Sequence, residues 1–296
     1  MTVATRRGRA APRIDPKITA SAAFHAIALV VTALYAVPMA YTVMVALTPH
    51  GEWIGAWPSR LEFSNFADAF LSADFLRFFI NSAVVAITCT ITQVVLSCAA
   101  GYALAMLPVR GRNLMLLLLV ALLVVPPEVS LVPLFVMVSH VPLTGGNDIL
   151  GNGGQGLLNT LPGVMVPHIV SALAIFLMRQ FYISLPAELG DAARIDGASE
   201  FRIFFEIYTP LVKPAVAVVG VFAFQAAWND FVWPLVVTYS NDMRTLQLGL
   251  TVFFQENSTQ WPLLMAAVLA ISVPIVVLFL LIQKFFQSGA LSGALK

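Results

Sequence analysis

Two long stretches of the chain, residues 80–106 and 262–283, contain no Asp, Glu, Lys or Arg. A helix that crosses a membrane requires about 20 mostly apolar residues, so each stretch is long enough to span a bilayer. The whole chain follows the same trend, since 59% of its 296 residues are hydrophobic and only 10% are charged. An average soluble domain carries about 25% charged residues. The sequence therefore predicts a polytopic membrane protein.

Composition also argues against three other classes of protein. The formal net charge of +1 and the scarcity of charged residues disfavour nucleic-acid binding and disorder. The two cysteines, Cys89 and Cys98, are nine residues apart in one apolar stretch. On a helix this spacing separates them by about 13.5 Å, whereas bridged Cα atoms lie within about 7 Å. A disulfide scaffold is therefore excluded, and the period-two alternation of a membrane barrel is absent from the sequence.

Six apolar stretches are long enough to be membrane spans, which predicts an all-α fold with six transmembrane helices. They are residues 24–47, 80–106, 113–139, 161–178, 214–233 and 262–283. The third stretch is interrupted by Pro126-Pro127-Glu128, and the fifth ends in Trp228-Asn229-Asp230.

The distribution of basic residues predicts the orientation of the chain, because cytoplasmic loops of membrane proteins are enriched in Lys and Arg. With the N-terminus in the cytoplasm, 13 of the 16 basic residues lie on the cytoplasmic side. Both termini are therefore predicted to be cytoplasmic. The chain is interpreted as a basic tail (1–19) and a single membrane domain (20–296) that ends in a cytoplasmic tail (285–296). The first apolar run is longer than the 7–15 residues of a signal peptide, so we expect it to remain as an anchor.

Residues 144–159 are rich in Gly and Asn and contain six glycines. This composition predicts a flexible loop between two spans.

The segment between spans four and five carries nine charged residues over positions 179–213 and is predicted to be cytoplasmic. Its pattern indicates two short helices. Ser184 and Pro186 are expected to begin the first, because Ser caps free N–H groups and Pro is well placed in a first helical turn. Gly197 is expected to form the turn between the helices, since glycine adopts positive φ without cost.

The second short helix is expected to begin after Ser199 and to end at Pro210. It carries an aromatic stripe at helical spacing, formed by Phe201, Phe204, Phe205 and Tyr208. The pattern alone leaves two interpretations open. The helix either lies on the inner leaflet or its own bundle, or it docks into a groove of a soluble partner.

A resemblance to a known family favours the docked helix. The residues that carry it are Asp191-Ala192-Ala193-Arg194-Ile195-Asp196-Gly197-Ala198, followed by Phe204, Ile207, Pro210, Leu211 and Pro214. This pattern resembles the EAA loop of the membrane subunits of binding-protein-dependent ABC importers. Asp191 stands where the family usually has Glu, which keeps the charge but shortens the side chain by one methylene. The resemblance implies the fold of a type I ABC importer permease.

Two further segments resemble the carbohydrate branch of these permeases, in particular the maltose and glycerol-phosphate uptake permeases. They are Trp228-Asn229-Asp230-Phe231-Val232-Trp233-Pro234-Leu235 and the C-terminal residues 284–296. The resemblance covers residues 20–296 and implies a multi-pass protein of the prokaryotic plasma membrane.

The resemblance also implies partners. These are a second homologous permease, a dimeric cytoplasmic ATPase, an extracytoplasmic solute-binding protein or lipoprotein, and the membrane lipid; nucleic acid is not among them. The chain has no phosphate-binding G-x-x-x-x-G-K-[ST] motif. The chain is therefore not expected to be an enzyme or to hold a cofactor. ATP and Mg²⁺ are expected to bind to the ATPase subunits. The expected ATPase-coupling residues are Asp191, Ala192, Ala193, Asp196, Gly197, Ala198, Phe201, Phe204, Phe205, Ile207 and Pro210, within a coupling loop at 184–213.

Polar and aromatic residues in the spans are candidates for the solute path, because an ionisable group within a span normally faces a cavity or a partner. The candidates are Glu128, His168, Trp228, Asn229, Asp230 and Trp233. Each also has a structural interpretation, and tryptophans commonly belong to the interfacial aromatic belt. No metal site is expected, because no pair of ligand residues has the required spacing.

The alternatives to an importer permease are a stand-alone secondary transporter with Glu128 and Asp230 as coupling carboxylates, and a polytopic enzyme such as a glycosyltransferase. No Lys or Arg lies within the core of a span. This absence favours a neutral sugar over a sugar phosphate as the solute.

Overall fold

The structure is a computed structural model that describes residues 16–71, 74–254 and 259–293, with side chains described for 24–71, 74–254 and 259–283. Most of the predicted basic tail and the last three residues of the C-terminal tail lie outside these ranges. Within the described ranges the regular secondary structure is helical, and the only strand-like pairing there is one isolated bridge between Phe254 and Thr259. The prediction of an all-α fold is therefore confirmed.

Fourteen α-helices follow one another along the described chain. They are α1 Pro16–Ala46, α2 Ser64–Leu71, α3 Phe75–Met106, α4 Arg112–Val124, α5 Leu131–Ser139, α6 Leu161–Met165, α7 Ala172–Ile183, α8 Glu188–Ile195, α9 Glu200–Arg202, α10 Thr209–Leu211, α11 Lys213–Trp228, α12 Val232–Val237, α13 Leu246–Gly249 and α14 Trp261–Gly293. Short 3₁₀-helices occupy Pro127–Ser130, Val166–His168, Asn241–Met243 and Leu250–Phe253, and a π-helix occupies Ile203–Tyr208.

Three helices are each long and apolar enough to cross a membrane, and three bent helix pairs raise the number of spans to six when each pair is counted as one. The continuous spans are Phe24–Ala46, Phe75–Met106 and Trp261–Gln283. The bent pairs are Arg112–Val124 with Pro127–Ser139 (99°), Leu161–His168 with Ala172–Ile183 (45°), and Glu200–Leu211 with Lys213–Trp228 (82°). Six spans by length and composition agree with the predicted number. The side of the membrane on which the termini lie stays a prediction.

Two predicted spans differ from the observed helices, each for a local reason. Span three is divided because Pro126 is extended, with φ −61° and ψ 133°, and the prolines there supply no N–H to the helix. Span five ends at Trp228, five residues earlier than expected. The carboxylate of Asp230 accepts a hydrogen bond from the backbone N–H of Trp233 at 3.3 Å, which starts a separate helix, α12.

The Gly- and Asn-rich residues 144–159 form a hydrogen-bonded structure, so the prediction of a flexible loop is wrong. The Asn147 side chain is buried, donates to the carbonyl oxygens of Ser139 and Val141, and accepts from the N–H of Gly154. Gly156 has φ +59°, and a Cβ there would lie 2.4 Å from the carbonyl oxygen of Val138. Glycines in this segment allow two stretches of backbone to pack closely, because a side chain there would clash with a carbonyl group. Composition alone does not reveal this role.

Helix α3 is the centre of the bundle and packs against both α7 and α11. The contact with α7 is close, because a Cβ on Gly101 would lie 2.7 Å from the Cβ of Met178. Buried side chains form two clusters. The larger includes Trp228, Trp233 and residues of α3 and α14, and the smaller joins α3, α7 and α11 to the segment at 200–212.

Candidate functional site

A cavity of about 780 Å³ lies where the broken spans three, four and five meet α3. Its wall is largely apolar and is interrupted by a few polar side chains. The polar lining residues are Gln93, Glu128, His168, Ser171, Gln225, Asn229 and Asp230. A concave, mostly apolar site with a small number of placed polar groups is the usual form of a small-molecule site.

Three interruptions between helices each place an ionisable residue beside this cavity. Glu128 follows Pro127 between α4 and α5, His168 follows Pro167 before α7, and Asp230 lies between α11 and α12. Non-helical backbone at membrane depth is tolerated where it lines a cavity or is buried in protein. The breaks and the polar side chains therefore belong to one site.

Two of these residues are in direct contact. Nε2 of His168 lies 2.9 Å from Oδ2 of Asp230, and each side chain is 16% exposed. The other oxygen of Asp230 accepts from the N–H of Trp233, as described above. Asp230 thereby ties the break in span four to the start of α12.

Three other residues predicted for the solute path also line the cavity, but they differ in exposure and in hydrogen bonding. Glu128 is exposed on the cavity wall. Asn229 also lines the cavity, and its Oδ1 accepts from Nε2 of Gln247 at 3.3 Å. Trp233 contributes to the wall but is 4% exposed, with Nε1 donating to the carbonyl oxygen of Gly163 at 3.0 Å. A ring held in this way forms a fixed wall.

Trp228 does not line the cavity, so the structure gives no support to its expected place on the solute path. Its side chain is 2% exposed and stacks on Phe224 with ring centroids 5.3 Å apart. Nε1 donates to the carbonyl oxygen of Ile271 at 3.1 Å. Trp228 is the last residue of α11, and its position on that helix directs the side chain into the core, toward α14. The chain from Asn229 onward is no longer part of α11.

Sequence reasoning missed three polar lining residues, Gln93, Ser171 and Gln225. Gln93 is only 7% exposed within a span that has no charged residue. The available signal was an amide side chain in the middle of an uncharged span, because burying an amide without a partner is costly.

A second candidate region is the EAA-like segment, residues 184–213. Gly197 has φ +80° and forms the turn between α8 and α9, as predicted. The Ser199 side chain accepts from the N–H of Arg202 and caps α9, as predicted. Ser184 does not cap α8, since its hydroxyl donates backwards to the carbonyl oxygen of Phe181. The expected end of the helix at Pro210 is also displaced, because α10 continues to Leu211.

The predicted aromatic stripe is divided between two surfaces. Phe204 and Tyr208 pack against Tyr102 of α3, with ring centroids at 5.1 Å and 5.6 Å. Phe201 and Phe205 are 78% and 62% exposed. At about 3.6 residues per turn, Phe204 and Tyr208 lie on one edge of the stripe and Phe201 and Phe205 on the other, and only the first edge faces α3.

The expected coupling residues divide in the same way. Ala193, Ala198, Phe204 and Ile207 pack against the smaller buried cluster. Asp191, Ala192, Asp196, Gly197, Phe201, Phe205 and Pro210 are exposed. Ile195, which was not among the expected residues, is 87% exposed and adds to the apolar part of this surface.

Charged side chains join the two short helices across the Gly197 turn. Arg194 donates from Nε to Oε1 of Glu200 at 2.6 Å and from Nη1 to Oδ1 of Asp191 at 2.7 Å. The hydrogen bond from Arg194 is the main cause that lowers the pKa of the Glu200 carboxyl. The hydrogen bond to Glu200 in turn raises the pKa of Arg194. Both groups are therefore charged at neutral pH.

Tyr208 fixes α8 against the π-helix. Its hydroxyl accepts from the N–H of Gly190 at 3.1 Å and donates to the carbonyl oxygen of Pro186 at 3.2 Å. A Cβ on Gly190 would lie 2.9 Å from the same hydroxyl oxygen. Only glycine at position 190 allows this approach without a shift of the ring.

Within the part of the chain that the structure describes, no group of three His, Cys, Asp or Glu side chains is placed to hold a metal ion.

Comparison with known proteins identifies the family of the chain. Residues 93–291 match the family described as binding-protein-dependent transport system inner membrane component. The arabinooligosaccharides transport system permease protein AraQ of Halalkalibacterium halodurans is 37% identical over 240 residues, which cover 81% of each chain. The sn-glycerol-3-phosphate transport system permease protein UgpE of Shigella flexneri is 31% identical over 271 residues, 90% of this chain and 88% of that one.

Solved structures show the same fold. A bacterial ABC transporter involved in the import of the acidic polysaccharide alginate matches with a TM-score of 0.75 at 21% identity, covering 93% of this chain and 100% of that one. The alginate transporter in complex with its pentasaccharide-bound periplasmic protein matches with a TM-score of 0.63 at 14% identity, covering 90% and 94%. These findings confirm the resemblance to carbohydrate-branch ABC importer permeases, and the chain belongs to the family of binding-protein-dependent transport system inner membrane components.

Proposed function

We propose that this chain is a permease subunit of an ATP-driven importer for a sugar or sugar derivative. In this proposal it forms half of the translocation path and couples to cytoplasmic ATPases through the EAA-like segment. The observation that carries the coupling role is the divided aromatic stripe. Phe204 and Tyr208 anchor the segment to the bundle, while Phe201 and Phe205 remain exposed. Exposed aromatic rings on an anchored helix suit insertion into a groove of a partner.

The proposed partners are a second homologous permease, a dimeric ATPase that binds ATP and Mg²⁺, and an extracytoplasmic solute-binding protein. The family description names a binding-protein-dependent system, which supports the last of these. Both termini and the EAA-like segment would lie in the cytoplasm, and residues 20–296 would form one permease domain in the plasma membrane of a prokaryote. A stand-alone secondary transporter is not favoured, since family membership points to a multi-subunit system.

The solute path is proposed to pass the cavity at the three helix breaks. Glu128, Asn229 and the His168–Asp230 pair offer groups for the hydroxyls of a sugar. The lining residues of the cavity include two carboxylates and neither Lys nor Arg. An anionic sugar would meet repulsion in such a site, so the proposed solute is an uncharged sugar.

Reconstitution tests the proposal. The chain is co-purified with its cognate permease and ATPase, placed in proteoliposomes, and supplied with binding protein loaded with neutral sugars or sugar phosphates. We expect ATP-dependent uptake of a neutral sugar. Phe201→Ala with Phe205→Ala should reduce ATPase co-purification, whereas the control Phe63→Ala, at an exposed ring outside the segment, should not. Uptake driven by an ion gradient without any ATPase would refute the proposal.

A further inference from the structure

The hydroxyl of one buried tyrosine connects the central span to the EAA-like segment. Tyr102 lies four residues before the end of α3 and is 4% exposed. Its hydroxyl donates to Oε2 of Glu200 at 3.0 Å, across 98 residues of sequence. Glu200 is the first residue of α9. The bond therefore joins a membrane-spanning helix to the start of the second short helix.

Glu200, which accepts this bond, also forms an ion pair with Arg194. Oε1 of Glu200 receives the Nε–H of Arg194, and the guanidinium of Arg194 also holds Asp191. A continuous chain of hydrogen bonds thus runs from Tyr102 through Glu200 and Arg194 to α8. Hydrogen bonds to ionised groups are stronger than those between neutral groups.

The ring of Tyr102 supports the same connection by packing. It contacts Phe204 at 5.1 Å, Tyr208 at 5.6 Å and Tyr182 at 5.7 Å between centroids. Tyr208 in turn holds α8 through Gly190. Tyr102 is therefore the side chain that the end of α3 and the segment share, through its hydroxyl and through its ring.

Helix α3 carries this connection to the cavity. Gln93 lies on the cavity wall, nine residues before Tyr102 on the same uninterrupted helix. Nine helical residues correspond to about 13.5 Å. No helix break separates Tyr102 from Gln93. If movement of the EAA-like segment displaces Tyr102, the same helix can therefore displace a residue that lines the cavity.

We propose that Tyr102 is a positioning residue that transmits movement of the EAA-like segment to α3 and the cavity through its bond to Glu200. The inference rests on the coupling role proposed above. It assigns the transmission to a residue outside the segment that resembles the EAA loop. Phe at this position would keep the ring contacts and remove only the connection.

The test uses the complete reconstituted transporter and measures solute imported per ATP hydrolysed. Tyr102→Phe should lower this ratio by about fivefold or more, the scale of one lost hydrogen bond, while ATPase binding is retained. The matched control is Tyr182→Phe, whose ring belongs to the same cluster but whose hydroxyl has no bond to Glu200 or Arg194. It should leave the ratio within about twofold, a change below that same scale.

Two further measurements separate transmission from mere stability. Glu200→Gln should act in the same direction and at least as strongly, because it weakens the bond from Arg194 as well as the bond from Tyr102. Adding Tyr102→Phe to it should therefore change the ratio little. Amide hydrogen exchange of residues 188–208 should increase in Tyr102→Phe and stay unchanged in Tyr182→Phe. The exchange measurement requires no transport, so it tests the connection even if the wild-type chain imports nothing, which would instead refute the proposed function.

A wild-type ratio in a well-folded Tyr102→Phe protein would overturn the inference. So would a parallel fall of uptake, ATPase binding and assembly, because that pattern marks a residue needed only for folding. Unchanged amide exchange in the segment would also overturn it.

Discussion

The imidazole of His168 and the carboxylate of Asp230 meet at 2.9 Å although 62 residues separate them along the chain. His168 ends the short helix before α7, and Asp230 lies between α11 and α12. The contact joins two irregular stretches of backbone, which the bond from Trp233 to Gly163 also holds together. Both residues line the cavity, so the pair forms part of its wall.

Removing either partner of this pair should weaken both the fold and uptake. A buried polar group left without its partner costs about 1–3 kcal/mol, so His168→Ala and Asp230→Asn should each lower the midpoint of thermal unfolding. We expect uptake to fall by about tenfold, the equivalent of about 1.4 kcal/mol. The control is His50→Ala, at an exposed histidine outside the cavity. Unchanged unfolding midpoints in both cavity variants would show that the contact between His168 and Asp230 does not stabilise the fold.

Gly190→Ala should destabilise the EAA-like segment, because the new methyl would lie 2.9 Å from the Tyr208 hydroxyl oxygen. We expect a loss of about 1 kcal/mol from the displaced hydrogen bond, measured as faster amide exchange in α8. Gly220→Ala is the matched control, since its Cβ would meet no heavy atom closer than 3.8 Å. That helical substitution should be neutral or stabilising. Equal effects of the two alanines would contradict this role of Gly190.

We expect a transporter with Gly197→Pro to hydrolyse ATP without importing solute, although the chain still inserts into the membrane normally. The native φ is +80°, whereas proline fixes φ near about −65°, so the turn between α8 and α9 cannot form. Gly197→Asn provides the control, because Asn tolerates positive φ better than most residues and should retain most of the coupling. Normal uptake by the proline variant would mean that the turn does not position the segment.

Trp228→Ala should reduce the yield of folded protein. Truncation of a buried tryptophan costs about 3–5 kcal/mol, and here it also removes the hydrogen bond to Ile271. Trp57→Ala, at a side chain 80% exposed, should have little effect on yield. Detergent-resistant folded protein, quantified by size-exclusion chromatography, provides the measurement; a Trp228→Ala yield equal to wild type would place the ring outside the core.

The number of spans and the place of the largest break were predictable, because both depend on local chemistry. Uncharged runs mark the spans, and Pro126-Pro127 removes two consecutive backbone donors. The Gly197 turn and the Ser199 cap follow from equally local preferences.

The positions of single side chains were less predictable. Trp228 and Trp233 are both buried in the larger cluster, yet only Trp233 also lines the cavity. The difference arises from the helix break between them, which depends on the Asp230 side chain and its tertiary contact with His168. The split of Phe201 from Phe204 depends on which edge of the aromatic stripe faces α3, and the period of the helix does not reveal that.

Helix α1 packs mainly on α14, so the first and last spans of the chain are neighbours. In the Phe24–Ala46 span, the most apolar stretch buries none of its residues inside the bundle. The helix that α1 packs against is therefore made after the other described helices, so the two spans can meet only late in synthesis. Until then α1 can be surrounded by lipid, because it is apolar on most of its sides.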